Sequence, residues 1–273
     1  MIKMIFTDMD GTLLDDNGNL PPDFDATMAR LKERGCRFCP ASGRQYTALV
    51  SHMMDYFDDF AFISENGTCA FFRGEELFSY PIPGELVRQV ARFANELPGA
   101  YPVLCAPTVA YVTEKWRPYT AAMDKFFTHH EFVDNLEQVV DDPEKYGHIV
   151  KIATSVAAGG TTLELTYPAL RDRFEPELQV IHSSDFWTDI QMPGYNKGKA
   201  AIRMAEKFGI KAEECAAFGD FMNDFEMVRD VGMGVAVENA YVGLKEVADY
   251  IAPPNYEYGV TRTINKWLDE GLI

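Results

Sequence analysis

The sequence predicts an α/β protein: a discontinuous, Rossmann-like parallel-sheet core that carries an inserted α+β domain. Three observations lead there. Short apolar runs alternate with helical patterns over the first eighty residues. The same rhythm resumes from about residue 196 to the C-terminus. Between them, several strand-like runs follow one another with no helix in between.

Met4–Asp8 is an apolar run that ends in acids and Gly11, the pattern of a buried strand leaving a sheet. Pro21-Pro22 opens a helix over Asp23–Arg34, with Phe24, Met28 and Leu31 at helical spacing and Gly35 as its stop. Cys36–Ala41 reads as the next strand, Ser42-Gly43 as its turn, and Arg44–Tyr56 as a helix. Phe60–Ser64 reads as a third strand of the same parallel sheet, and Asn66-Gly67 joins it to Cys69–Phe72 as a hairpin. Pro81–Gly84 and Met192–Gly194 have linker composition. We therefore expect a core formed by residues 1–82 and 192–273, with residues 83–191 inserted. The inserted segment predicts helices at Glu85–Leu97 and Tyr119–Phe127. Its strands are expected at Tyr101–Cys105, Val109–Thr113, His148–Ser155, Leu178–Ile181 and Phe186–Gln191. In the last third, helices are expected at Lys197–Phe208, Asn223–Val228, Tyr241–Val247 and Val260–Leu268, with strands at Cys215–Phe218 and Val231–Val237.

Composition narrows the function. The chain has 273 residues, 47% of them hydrophobic, and a formal charge of −17 from 25 basic and 42 acidic residues. That balance argues against a nucleic-acid or anionic-membrane partner, because both require a basic footprint. It leaves room for a small anion held by a local cation or metal. No apolar run approaches the ~20 residues of a membrane helix. The N-terminus lacks a signal peptide's apolar core, and five cysteines give no disulfide framework, so a cytoplasmic location is expected.

Four segments carry chemistry, each at the C-terminal end of an expected strand, where open α/β sheets bind ligands. Asp8-Met9-Asp10-Gly11-Thr12 sets two carboxylates two residues apart. Such a pair needs a proton or a hard divalent cation such as Mg²⁺ to neutralise it. Thr12 adds a hydroxyl and an N–H. Ser42-Gly43-Arg44 opens a helix with a hydroxyl and unpaired N–H groups, which suits a phosphate as well as a plain N-cap. Asn196-Lys197-Gly198-Lys199 offers Lys197 as a point charge, with Lys199 toward water. Gly219–Asp224 offers Asp220 to a cation, Asp224 one turn further on, and Asn223 between them. Any one segment alone is an ordinary cap or turn. Together they suit metal-assisted phosphoryl transfer to a carboxylate.

These motifs resemble those of the haloacid dehalogenase superfamily of phosphohydrolases, in its Cof-type branch with a subfamily IIB cap. Asp-Met-Asp-Gly-Thr-Leu-Leu from Asp8 matches the first motif, Ser42-Gly43-Arg44 the second, Lys197-Gly198-Lys199-Ala200 the third and Gly219–Asp224 the fourth. Ser64–Gly67 and Gly259-Val260 fit the branch as well, while the inserted segment matches only in rough pattern. The resemblance implies Asp8 as nucleophile, forming a phosphoaspartate, and Asp10 as general acid and base. It implies Mg²⁺ held by Asp8, the Asp10 carbonyl and Asp220. Thr12, Ser42, Gly43, Lys197 and Asn223 would grip phosphate, and Asp224 would orient Lys197 or metal-bound water. The implied substrate is a small phosphorylated metabolite, foremost a sugar phosphate. A phosphosugar mutase on the same nucleophile and a non-catalytic binding module remain as alternatives. Glu238 departs from the branch, standing where it usually has glycine.

Other features read more plainly. Cys36-x-x-Cys39 lies in an expected buried strand without a second pair, so packing is favoured over zinc. His129-His130 reads as surface. Within the inserted segment, Arg88, Arg92, Lys115, Trp116, Arg117, Arg171 and Arg173 could include a substrate selector. The aromatics Phe186, Trp187 and Tyr195 near the return linker could line a pocket roof or a core.

Overall fold

The computed structural model describes residues 1–124, 126–156 and 160–273. In chain order its strands are β1 (Met4–Thr7), β2 (Arg37–Pro40), β3 (Ala61–Ser64), β4 (Cys69–Phe72), β5 (Glu75–Ser79), β6 (Ala100–Cys105) and β7 (Ala110–Thr113). They continue with β8 (His130–Val133), β9 (Lys151–Val156), β10 (Gln179–Ser184), β11 (Trp187–Gln191), β12 (Cys215–Gly219), β13 (Met233–Val237) and β14 (Tyr250–Ala252).

The chain separates into two compact units. The first comprises residues 1–43, 53–77 and 196–273. Its centre is a five-stranded sheet in the order β14-β13-β12-β1-β2, parallel throughout. This is the Rossmann-like core expected from the sequence. All four residues of β1 are buried, so the strand is covered on both faces and reads as an unbroken apolar run. Thr7 pairs with Phe218 on one side and Pro40 on the other. The register therefore brings the ends of β1, β12 and β2 level. Asp8, Asp220 and Ser42 leave the sheet within a residue or two of that line.

One expectation is corrected here. β3 does not belong to the parallel sheet. It pairs antiparallel with β4 in a separate three-stranded sheet, β3-β4-β5, and touches the main sheet by one bridge, Ala41 to Ile63. A run buried on both faces has the same appearance in either setting. The Asn66-Gly67 turn supplies β3 with an antiparallel partner, and that partner decides its sheet.

The second unit comprises residues 44–52 and 78–195. It is the inserted cap, a mixed six-stranded sheet in the order β10-β11-β9-β6-β7-β8, in which only β7 and β8 run parallel. Residues alternate between its faces with the period of two that a pleated strand dictates. Leu104, Ile152, Val180 and Ile190 pack beneath Val87, Val90 and Ala94 of the helix Gly84–Glu96, and beneath Leu170 and Phe174 of the helix Tyr167–Phe174. On the other face Val103, Cys105 and Ala153 pack with Trp116, Met123 and Phe127. The segment Arg44–His52 groups with this unit. The Gln45 amide donates to the His129 carbonyl at 2.9 Å, and Gln45 Oε1 accepts from the His129 amide at 3.1 Å.

Of the helix expected over Tyr119–Phe127 the structure forms a single α-turn, Thr120–Met123, which follows a 3₁₀ segment over Glu114–Tyr119. Among the described residues, no helix is long and apolar enough to cross a membrane.

Candidate active site

The site forms where β1, β2 and β12 end. After β1 the chain makes one wide turn, Met9–Leu13, closed by the Leu14 amide on the Met9 carbonyl at 2.9 Å. Its start is fixed by the Asp8 amide donating to the Phe218 carbonyl at 2.9 Å. Asp8 is 6% exposed, whereas Asp10 lies at the surface. Lys197 begins the helix Lys197–Lys207, which Asn196 caps by accepting from the Lys199 amide at 2.9 Å. Gly198 brings this helix start close to its neighbour, since a Cβ there would meet the Glu226 carbonyl carbon at 2.5 Å. The close approach sets Lys197 beside Asp224.

Lys197 is fully buried and its ammonium donates to two carboxylates, Asp8 Oδ1 at 2.5 Å and Asp224 Oδ1 at 2.7 Å. The other Asp224 oxygen accepts from the backbone amides of Asp220 (3.1 Å) and Phe221 (3.3 Å). Asp220 Oδ1 accepts from the Thr12 hydroxyl at 3.0 Å. Ser42 is buried, and its amide donates to the Ile63 carbonyl at 3.0 Å. Asn223 reaches Asn66, its Nδ2 lying 3.4 Å from Asn66 Oδ1.

Oxygens of Asp8, Asp220 and Asp224 all lie within 4.8 Å of one another. Three carboxylates against one ammonium leave a surplus of negative charge in a buried place. Burial, and then the Asp224 and Asp220 charges, push the Asp8 carboxyl well above its usual range, although Lys197 pulls the other way. Burial and the Asp224 charge push Asp220 up to about 6. Burial alone would lower the Lys197 pKa, but the Asp224 and Asp8 charges outweigh it and hold the ammonium protonated. A hard-oxygen donor set with excess negative charge fits a divalent cation.

The structure thus brings together Asp8, Asp220, Asp224, Lys197 and Thr12. Two supports were not evident from sequence. Asn66 was legible as a turn residue and as part of the Ser64–Gly67 stretch that fits the branch, with no role at the site. Asn239, exposed next to Glu238, donates to the Gly11 carbonyl at 2.8 Å and accepts from the Asn255 amide at 3.0 Å. It thereby holds the Asp8–Leu14 turn from behind. Glu238 itself is exposed.

The remaining candidates resolve into packing or surface pairs. None of the five cysteines forms a disulfide. Burial pushes the Cys36 thiol up to about 12 and the Cys39 thiol well above its usual value, so both remain protonated. His129 Nδ1 meets the Thr108 carbonyl at 2.9 Å. Among the described residues the three aspartates are the one group of three or more ligands placed to share a metal. Within the cap, Arg88 pairs with Asp141, Arg92 with Glu137, Arg117 with Glu114 and Arg171 with Asp172. Arg173 lies over Phe174, and the Lys115 ammonium donates to the Ala100 carbonyl. Trp187 joins Trp116, Phe126 and Phe127 in one aromatic cluster, Phe186 is exposed, and Tyr195 stacks on Tyr80 at 3.7 Å.

Comparison with known proteins agrees with this geometry. A family model for haloacid dehalogenase-like hydrolases matches residues 5–264. A curated relative from Escherichia coli, the 5-amino-6-(5-phospho-D-ribitylamino)uracil phosphatase YbjI, is 28% identical over 98% of this chain and 96% of its own. A solved Streptococcus mutans structure superposes with a TM-score of 0.84 at 26% identity, covering 98% of this chain and all of that one. A structure described as a subclass IIB sugar phosphatase shares the fold, with a TM-score of 0.82 at 23% identity over 99% of this chain and all of that one. The chain belongs to the haloacid dehalogenase-like hydrolases and is a phosphatase-type enzyme.

Proposed function

We propose that this haloacid dehalogenase-like hydrolase releases phosphate from small phosphorylated metabolites, sugar phosphates foremost, through an aspartyl phosphate on Asp8. The observation that carries the reading is the buried Asp8 carboxylate, level with the sheet's end and held by Lys197 at 2.5 Å. A phosphate dianion repels a carboxylate, so the nucleophile needs a positive neighbour that cannot leave, and Lys197 is that neighbour.

In the proposed sequence an Asp8 oxygen attacks phosphorus as the ester oxygen departs in line. Asp10 gives that oxygen its proton, and the alcohol leaves. Asp10, now ionised, takes a proton from water as the water oxygen attacks the same phosphorus, and inorganic phosphate leaves Asp8 unchanged. Lys197, Ser42, Gly43 and Asn223 hold the phosphoryl oxygens during both steps, with the Thr12 N–H beside them. Asp8, Asp220 and the Asp10 carbonyl would hold Mg²⁺, which supplies charge neutralisation for the incoming dianion when bound. Asp224 has both oxygens occupied, by Lys197 and by two backbone amides, so it orients the lysine rather than a ligand. We infer that residues 83–191 select the substrate, which residues 1–82 and 192–273 process.

A mutase would need a second phosphate site in the cap. Arg88, Arg92, Arg117 and Arg171 are each occupied by a cap carboxylate, which favours the hydrolase. The test is phosphate release from a panel of sugar phosphates, polyol phosphates, nucleotides and an aryl phosphate, with Mg²⁺ or with EDTA. The panel includes the phosphoribityl compound named for the E. coli relative. Metal-dependent release with a preference for sugar or polyol esters is expected, together with its loss in Asp8→Asn. Undiminished turnover by Asp8→Asn would rule out the nucleophile assigned here.

A further inference from the structure

The turn between β3 and β4 belongs to none of the four motif segments, yet three of them converge on it. Glu65, Asn66 and Gly67 take successive left-handed conformations, with φ of 51°, 57° and 92°. For a residue with a Cβ this costs about 1–2 kcal/mol, and such strain persists only where the surroundings dictate it. The surroundings here are the phosphate-binding segments. The Asn66 amide donates to the Ser42 carbonyl at 3.0 Å. Asn66 Oδ1 lies 3.4 Å from Asn223 Nδ2 and occupies the space where a side chain at Gly43 would project, 2.8 Å from the Cβ that Gly43 lacks. A Cβ on Gly67 would meet the Asn196 carbonyl oxygen at 2.4 Å and the Lys197 nitrogen at 2.7 Å. Ser42, Lys197 and Asn223 come from three distant parts of the chain. One tight turn sets the spacing among them.

We propose that Asn66 is a positioning residue for the phosphoryl grip. Its backbone fixes the Ser42 loop, and its side-chain oxygen anchors one N–H of Asn223. The anchored amide cannot flip, so the second Asn223 N–H keeps a constant direction for a phosphoryl oxygen. This inference rests on the phosphatase reading above and adds a residue that touches no substrate.

A double-mutant cycle on Asn66 and Asn223 decides it. Asn66→Gly keeps the left-handed turn and removes only the amide. Asn66→Asp keeps both the turn preference and an oxygen for Asn223, and serves if the glycine variant folds poorly. The readouts are kcat and KM for an aryl phosphate, and the Kd of inorganic phosphate by calorimetry with Mg²⁺, with melting temperature as the control for folding. Asn66→Gly should weaken phosphate binding about three- to tenfold, the worth of one lost hydrogen bond, with its melting temperature nearly unchanged. Asn223→Ala should show a similar loss, and the double variant should bind no more weakly than Asn223→Ala alone. Independent, multiplying losses would overturn the proposal, as would an Asn66→Gly variant within twofold of wild type. Binding separates the two claims. A wild type that binds phosphate but hydrolyses no ester sinks the hydrolase reading while the cycle still judges Asn66. A wild type that binds no phosphate overturns both.

Discussion

Replacing Asp220 by asparagine should stabilise the metal-free protein while abolishing its use of metal. The carboxylate is mostly buried beside Asp224, and burial followed by that charge raises its pKa from 3.8 to about 6. A raised carboxylate pKa means that the folded state binds the proton more tightly than the unfolded one. The fold is therefore penalised above the folded pKa, and the penalty fades as pH falls toward the unfolded value. That rise corresponds to about 3 kcal/mol at pH 7.5 and about half of that at pH 5. Asparagine removes the charge and keeps an oxygen for the Thr12 hydroxyl, whose bond to Asp220 measures 3.0 Å. In EDTA at pH 7.5, Asp220→Asn should melt higher than wild type by up to about 6–12 °C, and at pH 5 the gap should roughly halve. Added Mg²⁺ should raise the wild-type melting temperature and leave the variant's nearly unchanged, because a ligand stabilises only the state that binds it. A variant no more stable than wild type in EDTA at pH 7.5, or a gap that ignores pH, would refute the electrostatic reading of the cluster.

The opposite sign is expected at Lys197. Lys197→Met leaves Asp8 and Asp224 buried without their shared cation, and denaturant unfolding should show a loss of about 3–5 kcal/mol; a loss under 1 kcal/mol would mean that the pair is not desolvated as described. Gly198→Ala places a Cβ 2.5 Å from the Glu226 carbonyl carbon. It should cost about 1–3 kcal/mol and lower phosphate release by moving Lys197, and melting and turnover measured on the same sample would show whether the two losses travel together.

What the sequence disclosed and what it withheld follow from the range of the interactions concerned. The end of β1 was legible because an apolar run stopping at Asp8 is a local pattern, and the parallel sheet then aligned Asp8, Ser42 and Asp220 without further information. The approach of Asp224 to Lys197 was implied by the family resemblance alone, and the Lys197–Asp8 pair was not foreseen, since no periodicity joins residues so far apart. Asn66 was concealed by its own turn signal. Asn-Gly announces a hairpin so strongly that the polar side chain needs no second explanation, although the structure gives it one. The cap was read least well. Its one-turn helices are too short for an amphipathic pattern, the helix expected over Tyr119–Phe127 is one of these single turns, and β8 begins within the two histidines read as surface. Aligned strand ends fix the candidate site from a few adjacent residues, whereas the selectivity proposed for the cap would depend on scattered side chains that only tertiary folding assembles.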